Sequence, residues 1–358
     1  MSGLKLLYIT YIDFGEMGSG SSVRPQRMAK AFEQLGVEVK LVSGLQNRKK
    51  ERKETLRQTV KWLEHNKVDA CYIEPPSCPI YLKQDRKLIE TVHKMGIPTA
   101  VFYRDAHWLY ADWWGVTGIK AAVLKMMHKK DLKVFRSCCD MVYFPSKTMG
   151  NLFSHIPFKG TGVLPPACLE AEKAHEKVQK RLIYVGGVSK AYGTDLLLDA
   201  FKRLEQKGSD VQLTFCCREG EGTDFLKQWE TLSNVTFIHK SGDELYQYYK
   251  QCDGGILPLR RDRYMDFALP VKLFEYWGNA LPVIATDCPE VKGMVEGYSC
   301  GLVCEASSHA IANAIEEFYE ENRVQDLFQK VTVAAGENRW VDRANQIFLD
   351  LLGKGADQ

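Results

Sequence analysis

Short apolar segments recur along this chain, each followed by a turn and a stretch of helical periodicity, and the series runs twice. The first series reads Lys5–Tyr11, Val37–Val42, Ala70–Ile73, Thr99–Tyr103 and Met141–Phe144, with helical stretches Pro25–Gln34, Lys53–His65, Tyr81–Lys94 and Ile119–Arg136 between them. Such alternation predicts a parallel sheet covered on both faces. The polar stretch "CLEAEKAHEKVQKR" carries no strand and reads as linker. A second series follows: Arg181–Val185, Gln212–Cys216, Val235–His239, Gly255–Leu257, Pro282–Ala285 and the small edge Gly301–Val303, with helices over Thr194–Gln206, Asp243–Gln251 and Lys272–Trp277. The expected fold class is therefore α/β, two Rossmann-like, doubly wound parallel-sheet domains facing a cleft. We expect a first domain over 1–165, a linker over 166–180 and a second domain over 181–337. Ligands of such sheets bind beyond the carboxyl ends of the strands.

Composition narrows the function classes. The 358 residues, 45% hydrophobic and 26% charged, are those of a globular protein, with no apolar run long enough to cross a bilayer. The N-terminus lacks a signal-peptide layout. Eleven scattered cysteines without a C-x-x-C pair suit a reduced, cytoplasmic protein and argue against zinc or disulfides. The net charge of +3 hides a split: residues 1–165 hold 26 Lys and Arg against 15 Asp and Glu, the remainder 22 against 30. The basic half is expected to meet something anionic.

The stretch "PVKLFEYWGNALPVIATD" (270–287) places Lys272 and Glu275 on one helix face. Pro270 suits a first turn, and the amides of Val271, Lys272 and Leu273 at the helix mouth form a phosphate seat to which Lys272 adds charge. Glu275 can accept from both hydroxyls of a ribose. The alternative is a plain surface ion pair.

The pattern P-x-K-x-F-E-Y-x-x-x-x-x-P-V-I-A-T resembles the signature of GT-B glycosyltransferases, particularly the large family four of retaining enzymes. The likeness runs from Arg181 to Leu352, including "QCDGGILPLRRDR" (251–263), and more loosely over the first half. It implies a GT-B fold, a nucleotide-sugar donor, ribose binding by Glu275, and a closing helix, about 338–352, that completes the first domain. It also sets His239 near the nucleotide base. The departures are specific. Phe267 stands eight residues before Glu275, where the family has a first glutamate, with Asp266 one place off register. In "VGGVSKAYG" (185–193) Gly187 takes the place of the phosphate-binding arginine and Tyr192 that of the lysine. Gly187, Ser189, Lys190 and Tyr192 remain donor-side candidates, and Lys190, Arg260, Arg261 or Arg263 could supply the missing charge. Neither this loop nor "GEMGSGSSVRPQR" (15–27) completes a dinucleotide fingerprint.

That first glycine-rich turn, Gly18, Ser19, Gly20 and Ser21, is either a cleft-facing acceptor loop or a tight turn capped by Ser21 or Ser22. Arg24 would suit an anionic acceptor. Arg104, Asp105 and His107 leave the fourth strand together. Asp105 is the candidate base of an inverting transfer, and His107 the candidate sugar contact of a retaining one; an Arg–Asp pair that merely fixes the loop is the alternative. In "WLYADWWGVTGIKAAVLKMMHKKDLKVFR" (108–136), aromatics precede a basic amphipathic helix, which suits an anionic membrane surface as well as ordinary one-sided packing. "NRKKERKE" (47–54) reads as a solvated helix start.

The sequence thus predicts a cytoplasmic glycosyltransferase acting at the inner face of a membrane. It would move a sugar from a nucleotide-diphospho-sugar, a UDP-sugar first, to a lipid-linked or glycan acceptor. No metal, no other cofactor and no nucleic acid are expected. The rivals are a nucleotide-sugar epimerase of the same fold, a catalytically inactive scaffold, and a nucleic-acid binder using the basic half.

Overall fold

The computed structural model describes residues 3–15, 20–169 and 178–353. Gly18, Ser19 and the linker residues 170–177 lie outside the described residues. The chain divides into two compact units, Met1–Pro165 with Trp340–Gln358, and Pro166–Arg339.

The first unit holds parallel strands β1 (Lys5–Thr10), β2 (Glu38–Val42), β3 (Ala70–Glu74), β4 (Thr99–Phe102), β5 (Met141–Phe144) and β6 (Thr161–Val163), in the order β2-β1-β3-β4-β5-β6. Every residue of β3 is buried, as expected of a strand covered on both faces. Tyr8 and Tyr72 stack at 5.4 Å, and Phe32 meets each of them edge-on. The helix Trp340–Leu352 returns to this core, where Phe348 packs on Phe32 at 5.8 Å and Asp350 accepts from the Tyr143 hydroxyl at 2.6 Å.

Three expectations need correction here. β6 was not foreseen, since Thr-Gly-Val is too short to show a period, and it forms by pairing with β5. The helix Gly20–Gln34 begins ahead of Pro25, so Ser21 and Ser22 fall inside it rather than at its cap. The helix Lys49–Leu63 has the exposed start expected over 47–54 with one exception. Arg52 is fully buried, pairs with Asp85 at 2.7 Å and donates to the carbonyls of Thr10 and Ser43. It ties down the carboxyl ends of β1 and β2.

The second unit holds β7 (Arg181–Val185), β8 (Gln212–Cys216), β9 (Val235–Ile238), β10 (Gly254–Leu257), β11 (Val283–Thr286) and β12 (Gly301–Cys304), ordered β12-β11-β10-β7-β8-β9 and all parallel. Its core joins Leu182, Phe215 and Ile256 to Leu197, Phe201, Ile315 and Phe318 from flanking helices. From β7 the chain runs outward through β8 and β9, then returns on the other side of β7 at β10. The loops after β7 and β10 therefore diverge around a crevice, the place where open α/β sheets bind ligands.

Candidate functional site

Both crevice loops in the second unit are tightly placed. Arg260 donates its backbone N–H to the Ala191 carbonyl at 3.0 Å, and its guanidinium pairs with Asp195 at 2.5 Å. Gly193 adopts φ +65°, and a Cβ there would drive into the Pro258 carbonyl, so only glycine lets the two loops approach.

The helix Val271–Gly278 rises from the second loop behind Pro270, which is its N-cap residue and still extended (φ −71°, ψ 139°) rather than part of the first turn as expected. Gly255 in β10 has no side chain because the Tyr276 ring lies on it. The Tyr276 hydroxyl accepts the Val185 N–H at 2.9 Å, which seats the helix against β7. One residue earlier in the chain, Glu275 takes an ion pair from Lys272 and a hydrogen bond from the Tyr249 hydroxyl at 3.3 Å. Burial first, and then Glu275, hold the Tyr249 phenol well above its usual range, so it stays a donor. Lys272 and Glu275 keep 32% and 28% of their side chains exposed, so a ligand can reach both. Of the three amides expected to face outward, that of Leu273 is withdrawn: it turns back to the Pro270 carbonyl at 3.2 Å, closing the first turn. Val271 and Lys272 retain the orphan amides of a helix mouth.

The loop after β7 is shaped by short-range bonds. Tyr184 donates its hydroxyl to the Gly187 carbonyl at 2.7 Å, Thr194 to the Ser189 carbonyl at 3.1 Å, and the Ser189 hydroxyl accepts the Tyr192 N–H at 3.3 Å. Tyr192 is partly exposed and lies against Gly187. His239 follows β9 with Nδ1 3.2 Å from the Cys217 carbonyl. The Cys217 thiol lies 3.7 Å from the same nitrogen. Among the four replacement cations, Arg260 is committed to Asp195 and Arg261 to Asp266 and Asp287. Lys190 and Arg263 are exposed and have no recorded side-chain partner among the described residues. Phe267 is buried beside Tyr264 at 5.0 Å, so no acid occupies that position.

In the first unit Asp105 and His107 stand together beyond β4. The Asp105 carboxylate accepts the His107 N–H at 2.9 Å, and its other oxygen lies 3.2 Å from His107 Nδ1. Arg104 reaches Glu74 at 3.2 Å. Arg24 is a correction: it is buried, not open to an acceptor. Its guanidinium lies 3.4 Å from Glu74, donates to the Pro165 carbonyl at 3.2 Å and sits on the Phe102 ring at 3.6 Å. Gly20 opens its helix and Ser21 follows within it. Sequence reasoning missed Tyr249 and Glu221, the latter accepting the Val188 N–H at 2.9 Å. Neither lies in a motif, and only the strand order brings them to the crevice.

Residues 179–321 match the family profile of the Glycosyl transferases group 1. No curated protein matches the chain by sequence. Solved structures resemble it throughout. Anabaena Alr3699/HepE in complex with UDP has a TM-score of 0.68 at 13% identity, covering 98% of this chain and 100% of that one. A glycosyltransferase from Rickettsia africae gives 0.67 at 12% identity, covering 98% and 99%. WaaG, a glycosyltransferase involved in lipopolysaccharide biosynthesis, gives 0.63 at 14% identity, covering 98% and 100%. Residues 179–321 thus match a group 1 glycosyl transferase domain, and the chain that holds them has the two-sheet GT-B fold of these solved glycosyltransferases.

Proposed function

We propose that the protein transfers a sugar from a UDP-sugar to a lipid-linked or glycan acceptor at a membrane face, without a metal ion. The observation that carries the donor half is the Lys272–Glu275 pair at the mouth of the Val271–Gly278 helix, beside the strand crossover. When the sugar–phosphate bond breaks, the departing diphosphate gains charge. Lys272 and the Val271 and Lys272 amides, at the positive end of the helix, stabilise that charge most in the transition state. Glu275 holds the ribose. Lys190 and Arg263, exposed and without a side-chain partner among the described residues, stand in for the missing cations. Asp105 and His107 supply the acid–base or sugar-contacting groups of the first unit. HepE with UDP and with UDP-glucose favours uridine as the base.

A thermal-shift screen of UDP-, GDP-, dTDP- and ADP-sugars, repeated with Glu275→Ala, tests the donor site. We expect UDP-sugars to raise Tm and the variant to lose most of that rise. An equal rise in the variant, or a response confined to another base, removes the assignment.

The acceptor half rests on the helix Gly118–Cys138. From Gly118 to Met127 it has no buried residue; Ile119 is 86% exposed, Met126 63% and Val123 44%, among Lys120, Lys125, Lys129 and Lys130. Apolar side chains interleaved with lysines fit the interface of an anionic bilayer. Sedimentation with phosphatidylglycerol vesicles should carry the protein down, and Ile119→Asp with Met126→Asp should release it. Equal pelleting of the variant would sink the membrane reading.

A further inference from the structure

The crevice holds a carboxylate that the donor reading leaves without a task. Glu221 lies in the turn after β8, where its Oε1 accepts the Val188 N–H at 2.9 Å. Its other oxygen, Oε2, is buried and has no hydrogen-bond donor among the described residues. A buried carboxylate oxygen left unpaired is costly, so such an atom in a ligand crevice is an acceptor waiting for a donor. The fit around it is close. A Cβ on Gly187 would stand 2.8 Å from Glu221 Oε1, and one on Gly222 would run into Val188, so two glycines allow the turn after β8 to meet the loop after β7. The end of β8 spans the space between the acid and the helix mouth. Burial raises the Cys216 thiol, offset in part by its bond to the Lys240 carbonyl and then by Lys272, and the next thiol, Cys217, is pushed up to about 11 by burial first, then Cys216 and Glu221.

We infer that Glu221 is a specificity-determining residue whose Oε2 accepts a hydrogen bond from a hydroxyl of the transferred sugar. The inference rests on the donor reading above. Within a bound sugar nucleotide the phosphates are anionic and would be repelled by Glu221, and the ribose belongs to Glu275. The hexose hydroxyls and the N–H of the base remain as donors, and the comparison of UDP with UDP-hexoses below tells them apart. The same charge selects neutral hydroxylated hexoses over acidic ones. Position 267 holds Phe, so in this inference an acid from a different strand end, Glu221, supplies the sugar contact.

Glu221→Gln separates this role from a clamp on Val188, because the glutamine carbonyl still accepts that N–H while Oε2 becomes an amide donor. Calorimetry on the full chain would measure Kd for UDP and for UDP-glucose, UDP-galactose and UDP-N-acetylglucosamine. The tightest of the three sugars serves as probe. We expect the variant to bind UDP within about twofold of the wild type, and the advantage of the UDP-hexose over UDP to fall about 10-fold or more. An unchanged advantage overturns the inference, as does an equal loss for UDP and UDP-hexose, which would mark Glu221 as a loop clamp or a base contact. Wild-type protein that binds no UDP at all overturns the donor reading and this inference together. UDP binding that persists with an unchanged advantage overturns this inference alone.

Discussion

Each unit has one place where the strand order reverses, and the two places use charge differently. In the first unit the reversal lies between β1 and β3, and the side chains gathered near it are turned on one another. Arg24 and Arg104 converge on Glu74, whose side chain is wholly buried, and Arg52 meets Asp85 with neither exposed. In the second unit the reversal lies between β7 and β10. There the loops are fixed by glycines, by hydrogen bonds to hydroxyls and by the Arg260–Asp195 pair, and Lys272, Glu275, Arg260 and Asp195 keep roughly a third of their side chains in solvent. One doubly wound sheet buries the charges that hold its loops, and the other leaves its ion pairs partly exposed, with Lys272 and Glu275 open to a ligand. A buried pair cannot serve both ends, because separating it strands an ion in a low dielectric.

The largest test of this contrast is Asp85→Ala. It leaves the Arg52 guanidinium buried without a counter-ion and should cost about 3–5 kcal/mol in a urea melt. The double variant Arg52→Met with Asp85→Leu should recover most of the loss. A cost below about 1 kcal/mol for the single variant would place this pair among ordinary surface bridges and break the comparison.

A second test uses pH. His128 is buried, stacked on Trp108 at 4.8 Å, and its pKa is lowered from 6.5 to about 4, by burial first and then by His107. The unfolded chain therefore binds a proton in this window that the folded chain refuses. Stability should fall on acidification from about pH 6.5 to 4, by on the order of 1–3 kcal/mol. His128→Phe keeps the stack and should flatten that portion of the curve. A wild-type profile level through the window would contradict the assignment.

The smallest effect on stability, and the sharpest side of the contrast, is Lys272→Ala. Its partly exposed pair should contribute under about 1 kcal/mol to folding. Affinity for a UDP-sugar should nonetheless drop about 10-fold, as expected for a lost charged hydrogen bond. Calorimetry and a urea melt on one preparation decide it. A large stability loss with unchanged affinity would make Lys272 structural.

Much of the fold could be read from the chain. Met141–Phe144, Arg181–Val185, Gln212–Cys216 and Thr194–Gln206 have the bounds that their apolar periodicity predicts. Central strands and amphipathic helices carry that signal because burial on both faces, or along one stripe, selects residue type at each position. β6 lacked it, being three residues at a sheet edge. The Lys272–Glu275 spacing was also readable, since neighbours within one helical turn need no distant partner. Arg52 was not: inside a run of lysines and glutamates it looks like its exposed neighbours.

The amino-acid sequence by itself determined the two strand–helix series and the spacing that sets Lys272 and Glu275 on one face of a helix. These follow from local periodicity and from chain connectivity. Only the tertiary structure decided which charges were buried and which stayed free. Arg24 went inward because Glu74 and the Phe102 ring lie in its path, and Glu221 met Val188 because two glycines let separate strand ends approach. Burial of a charge is set by groups from remote segments, and no pattern within a single helix or turn records them.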